Sequence, residues 1–239
     1  MKRGFLLFLS IFSIQNLFAQ ANLDSSLIRE LEEMVKIDQL AASNAQPPKE
    51  FSSLSQSEWE SKKDSIFRAN QEKASKILEE VGYPGFDKVG QVGERNFWLI
   101  VQHSDFNLAF QEEVLDLMHE EVLEGNASPS NYALLTDRVR MNKGEKLVYG
   151  TQVNYNFITG EAFSLPTEDP ENLNARRAEM GLEPIEDYLA EMTEMHMEMN
   201  SMIGGITNAA LVLFSVLMLV LVVMMYFFTR GKKPETQAL

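Results

Sequence analysis

The sequence predicts a mainly α-helical domain with one small antiparallel β-hairpin and a single C-terminal transmembrane helix. Three observations carry that expectation. Apolar residues recur at helical spacing from Leu27 to Met141. The period shortens to two between Leu147 and Phe157. From Ile206 to Thr229 no charged residue interrupts an apolar run.

The N-terminus reads Met1-Lys2-Arg3, then an apolar run from Phe5 to Phe18, then Ala19-Gln20-Ala21. A basic start, a short apolar stretch and a small residue predict a secretory signal peptide over residues 1–19, cleaved after Ala19. Residues 20–54 read as an N-terminal helix and linker. Leu27, Leu31, Met34, Val35 and Leu40 predict a helix over Asp24–Ala42, and Pro47-Pro48 marks the linker.

An extracytoplasmic, mainly helical domain is expected over 55–203. Ser55 and Glu58 form a capping-box pattern at its start. The helix that follows carries Trp59, Ile66, Phe67, Ala74, Ile77, Leu78 and Val81 on one face, and Gly82 stops it. Phe97 to Val101 is fully apolar, so periodicity alone does not separate buried helix from buried strand; flanking helices favour helix. Asn107 predicts an N-cap for Leu108–Leu123, and another helix is expected over Pro129–Met141. Val153, Tyr155 and Phe157 alternate with polar residues, a Thr159-Gly160-Glu161 turn follows, and Ala162–Leu165 returns, which predicts the hairpin. Asp169-Pro170 opens a helix closed by Gly181, and Pro184 opens the last one.

The run at 206–229 is long enough to cross the ~30 Å hydrocarbon core as a helix, at ~1.5 Å per residue. Arg230, Lys232 and Lys233 follow it, so 230–239 is expected to be a cytoplasmic tail under the positive-inside rule. The expected location is therefore a bacterial inner membrane, single-pass, with the domain periplasmic or extracellular. Net charge is −14, from 35 acidic and 21 basic residues, which argues against a nucleic-acid partner. The absence of cysteine excludes disulfides, thiolate nucleophiles and cysteine-ligated metals.

Four runs in the domain carry a resemblance. They are Trp98-Leu99-Ile100-Val101-Gln102-His103-Ser104-Asp105, Asp137-Arg138-Val139, Tyr149-Gly150-Thr151-Gln152, and Asp169-Pro170-Glu171-Asn172 with Arg176-Arg177-Ala178-Glu179. In this order and at these distances they resemble a bacterial family known as domain of unknown function 6624. The resemblance covers roughly residues 82–192, with a weaker helical lead-in. It implies that the four runs belong to one unit, and it implies no catalytic assignment.

The same runs hold the candidate chemistry. His103 can serve as base, acid or ligand, with Asp105 or Asp137 to orient it. The plainer reading is a buried histidine bonded to backbone at a helix end. Arg138 and Arg140 could clamp an anionic group with their planar forks, or form internal salt bridges. If Tyr149 to Gln152 lies on a strand, Tyr149 and Thr151 face one way and Gln152 the other, and Gly150 allows close approach. Gln102, Arg176 and Arg177 complete the ligand-binding candidates; of the adjacent arginines only one can face inward. No metal site and no cofactor is expected. His119-Glu120-Glu121 lacks the second histidine of a zinc helix, and no phosphate loop or nucleophile elbow occurs.

Near the C-terminal end, Ile185, Tyr188, Met192, Met195, Met199, Met202 and Ile206 step by three and four residues. That is an a/d seam, expected to pack on a partner, including a second copy, or on the domain itself. Three functions follow. The first is capture of a small polar or anionic ligand or a partner protein. The second is hydrolase-like catalysis at His103. The third is a structural role, dimerising through Tyr188, Met192, Met195, Met199 and Met202.

Overall fold

The computed structural model describes residues 23–201, which fall into two units. The expected signal peptide at 1–19, the run at 206–229, the tail at 230–239 and Met202 lie outside the described residues. The expected fold class is corrected in one part. No helix of the described residues is long and apolar enough to cross a membrane. The longest, at 26 residues, carries charges from Glu58 to Glu80 along its length. What the described residues form is a mainly helical fold with a two-stranded antiparallel sheet.

The first unit comprises residues 23–154 and 164–185 of the described chain. Its first helix, α1, spans Ser25–Ser43, with the Asp24 side chain accepting from the amides of Ser26 and Leu27 at its start. Leu27, Leu31, Met34, Asp38 and Ala41 are its buried stripe. The linker beyond it is fastened to the domain. Its one regular turn is a 3-10 turn over Lys49–Phe51. Trp59 is fully buried, donates its indole N–H to the Asn44 carbonyl at 2.9 Å, and packs 5.3 Å from the Phe51 ring.

Helix α2 spans Gln56–Val81 behind the Ser55/Glu58 capping box, and ends at Gly82 with φ +71°. Helix α3 spans Phe86–Gln102 and is broken at Gly90 (φ +69°, ψ 175°), a conformation open to glycine at little cost. The apolar Phe97–Val101 run is thus helical. Helix α4 spans Leu108–Leu123, capped by Asn107, and α5 spans Pro129–Asn142, capped by Ser128. Helix α3 is central. Its Phe97, Ile100 and Val101 meet Leu31 and Met34 of α1, Ile77 of α2, Val114 and Met118 of α4, and Leu135 of α5 in one buried cluster. Each such side chain contributes about 1.5–3 kcal/mol by leaving water.

After α5 the chain departs from expectation. Strand β1 is only Val153–Tyr155, paired with β2 at Ala162–Ser164. The preceding run, expected as strand, is not one. Gly150 has φ +70°, and the amides of Val148, Tyr149 and Thr151 turn onto the Asp137 carboxylate instead of a neighbouring strand. The expected helix at Asp169-Pro170 is likewise delayed. Asp169 is left-handed (φ 38°), Pro170–Asn172 is a 3-10 turn, and α6 spans Leu173–Glu179, closed by Gly181 with φ +68°.

The second unit comprises residues 155–163 and, among the described residues, 186–201. Residues 185–201 are helical, and this helix is α7. Asn156 accepts from the amides of Ile158 and Thr159 to shape the hairpin tip. On α7, Thr193 Oγ1 accepts from the Ala162 amide at 2.9 Å, and the His196 ring stacks on Tyr155 at 3.9 Å. Along the expected methionine seam, burial within the single chain varies. Met192 is half-buried, whereas Met195 and Met199 are exposed.

Candidate functional site

The C-terminal end of α3 carries the most reactive arrangement in the first unit. His103 caps that helix, its amide donating to the Leu99 carbonyl. Its Nδ1 lies 2.5 Å from Oδ2 of Asp38, and the ring packs 5.4 Å from Phe67 of α2. Asp38 is fully buried on the apolar stripe of α1. Gln39 Nε2 donates to the same Oδ2 at 3.3 Å. Asn70 Nδ2 donates to Oδ1 at 3.4 Å and to the Met34 carbonyl at 3.1 Å.

A carboxylate only accepts, so in the neutral imidazole the proton sits on Nδ1 and Nε2 keeps its lone pair. The His103 side chain is 25% exposed, and no described residue bonds Nε2. Phe106, three residues after His103, has the Arg68 guanidinium of α2 4.4 Å from its ring centre. Ser104 is buried and donates its hydroxyl to the Ile100 carbonyl, so it is no nucleophile.

The two carboxylates expected beside His103 sit elsewhere. Asp105 accepts from Nε of Arg138 at 2.8 Å and from its Nη2, and also from Asn142 and Gln111. Partial burial raises its pKa, but Arg138 first, then Asn142 and Gln111, more than offset this and hold it below the ordinary value. Asp137 is fully buried. It accepts from the amides of Val148, Tyr149 and Thr151 and from the Thr151 hydroxyl. That is a socket for a loop, with no open side for a substrate.

The arginines serve the protein itself. Arg140 pairs with Glu168, with Glu145 3.6 Å away, and lines a cavity of about 400 Å³ with Glu112 and Lys143. Arg176 donates to the carbonyls of Val148, Glu168 and Asp169. Arg177 is the one that faces inward, donating to the carbonyls of Tyr149 and Glu183. Tyr149 and Thr151 are both buried, and the Tyr149 phenol is pushed up to about 12, by burial first and then by Tyr132, Asp137 and Glu179. Gln102 is buried on α3, and Gln152 is half-buried, with its carbonyl accepting from the Leu165 amide. The polar runs therefore fold into three separate structures: His103 with Asp38, Asp105 with Arg138, and the Asp137 loop buttressed by Arg176 and Arg177.

Two buried acids escaped sequence reasoning, Asp38 and Glu94. Asp38 lies on an otherwise apolar helical stripe, and a charge in such a stripe is the signal that points to it; Glu94 shares its buried face with Asn96 and Gln102 and carries no such signal. Glu94 accepts from the Tyr83 hydroxyl at 2.8 Å and from Asn131. Burial raises its pKa despite those bonds. An acid whose folded pKa is raised favours the folded state while protonated, and that advantage fades as pH climbs from its unfolded value of 4.5 through the folded one. Glu94→Gln should therefore be increasingly stable relative to the wild type as pH rises across that window. Urea midpoints at pH 4.5, 6 and 7.5 check it; a constant difference would contradict the assignment.

A family model matches residues 25–197, under the description "Family of unknown function (DUF6624)". No curated protein and no solved structure matches the chain.

Proposed function

Since the chain belongs to DUF6624, a family of unknown function, its chemistry has to come from its own side chains, and we propose that it is a hydrolase-type acid–base catalyst with His103 as general base. One observation carries this reading. A partly exposed imidazole has Nδ1 held by a fully buried carboxylate and Nε2 unbonded by any described residue. Burying an ionised carboxylate is costly unless it is hydrogen-bonded, and Asp38 has three donors around it. The same carboxylate fixes the tautomer and stabilises the imidazolium formed when Nε2 takes a proton.

No cysteine exists and the Ser104 hydroxyl is engaged, so the nucleophile is water. Nε2 removes its proton as the oxygen attacks a carbonyl or phosphoryl centre, and returns that proton to the leaving group. The Phe67 ring forms an apolar wall beside the imidazole.

The test is turnover of chromogenic ester and phosphodiester substrates by the full chain. At least one class should be hydrolysed, and His103→Gln should lower kcat roughly 10²–10⁴-fold with an unchanged circular dichroism spectrum. Equal rates in the two proteins would refute a catalytic His103.

A further inference from the structure

The second unit carries a surface that the acid–base site does not use. Two cavities lie against α7 and share Met197 as a wall. One, of about 600 Å³, has an apolar floor that includes Ala162, Leu189 and Met197, and a rim of Glu161, Glu194 and Glu198. The other, of about 700 Å³, runs under the hairpin tip past Tyr155, Phe157 and Ile158. Phe157 is fully exposed and Ile158 is 90% exposed, and Met197 between the two cavities is exposed as well. Contiguous exposed apolar surface rimmed by polar groups marks an interaction site, and methionine is suited to surfaces that adapt to a partner.

The charge of this unit decides the occupant. Among its described residues, Glu161, Glu186, Asp187, Glu191, Glu194 and Glu198 are acidic, and there is no lysine or arginine. A second copy laid along α7 would set these carboxylates against their own duplicates, which like-charge repulsion disfavours. We propose that this groove binds a basic amphipathic helix of a partner protein. Its apolar face lies on Met197, Phe157 and Ile158. Its Lys or Arg side chains run their apolar stems over the floor of the first cavity and end at Glu161, Glu194 and Glu198.

The probe is a fluorescent Leu/Lys amphipathic model helix titrated into the full chain, with a Leu/Glu helix of the same pattern as control. The Leu/Lys helix should bind at least tenfold more tightly, and less so at higher salt. Changing Glu161, Glu194 and Glu198 together to Gln should weaken it tenfold or more, as should Met197→Gln. Changing Glu112, Glu113 and Glu120 of α4 to Gln should leave binding unchanged. Failure to bind, or equal losses from the two triple variants, would overturn the proposal. So would self-association in sedimentation that Met197→Gln abolishes, because the occupant would then be a second copy.

Discussion

Asp137→Ala is expected to cost the fold about 3–5 kcal/mol, the largest single loss from any polar residue in the first unit. The carboxylate accepts from three amides of one loop, those of Val148, Tyr149 and Thr151, and from the Thr151 hydroxyl. Alanine removes the shared acceptor of the Val148, Tyr149 and Thr151 amides and leaves a void at a buried position of α5. A domain of this size is stable by about 5–15 kcal/mol, so the variant sits close to the edge. Urea unfolding gives the loss directly. Hydrogen exchange should show the amides of 148, 149 and 151 opening first. Arg176 and Arg177 grip the Val148 and Tyr149 carbonyls, so the damage should spread to α6. A loss under about 1 kcal/mol, within the ordinary range for one hydrogen bond, would mean that the loop is held by something other than Asp137.

Asp38→Asn should lower kcat roughly 10²–10⁴-fold while KM changes little, because Asp38 touches no substrate and acts through His103. All three side chains around Asp38 are donors: His103 Nδ1, Gln39 Nε2 and Asn70 Nδ2. A carboxylate satisfies them on both oxygens. An amide must aim its own N–H₂ at one of them, and it brings no charge to stabilise an imidazolium. If the amide nitrogen faces His103, the ring changes tautomer and Nε2 carries the proton, so the base is lost. Loss of stability alone would lower active fraction, not kcat per folded molecule, so active-site concentration is measured alongside. A kcat equal to the wild type would reduce Asp38 to a packing role and remove the reason to treat His103 as a base.

Much of the helical part was legible in the sequence. The capping box at Ser55, the Asn107 cap, the Gly82 stop and Pro129 at a helix start are local signals, complete within four residues, and each element begins or ends where they fall. The hairpin was legible in kind but not in length, since its expected first half is captured by a side chain on α5. The site was legible only in part. His103 stands out as a histidine after an apolar run, but its partner is 65 residues away in sequence.

The sequence by itself determined most of the helical segments and several of their caps and stops, that cysteine chemistry is excluded, and that the chain is acidic. Those properties rest on local hydrogen bonding, periodicity and composition. Only the tertiary structure decided which carboxylate meets His103, that Asp105 and Asp137 are engaged elsewhere, and that the arginines brace the domain's own loops and carboxylates. Only it decided that Met195 and Met199 face outward on an acidic helix. Each of those outcomes depends on how distant helices stack, because a side chain's partner is fixed by which helix faces cross. Spacing along the chain does not specify that.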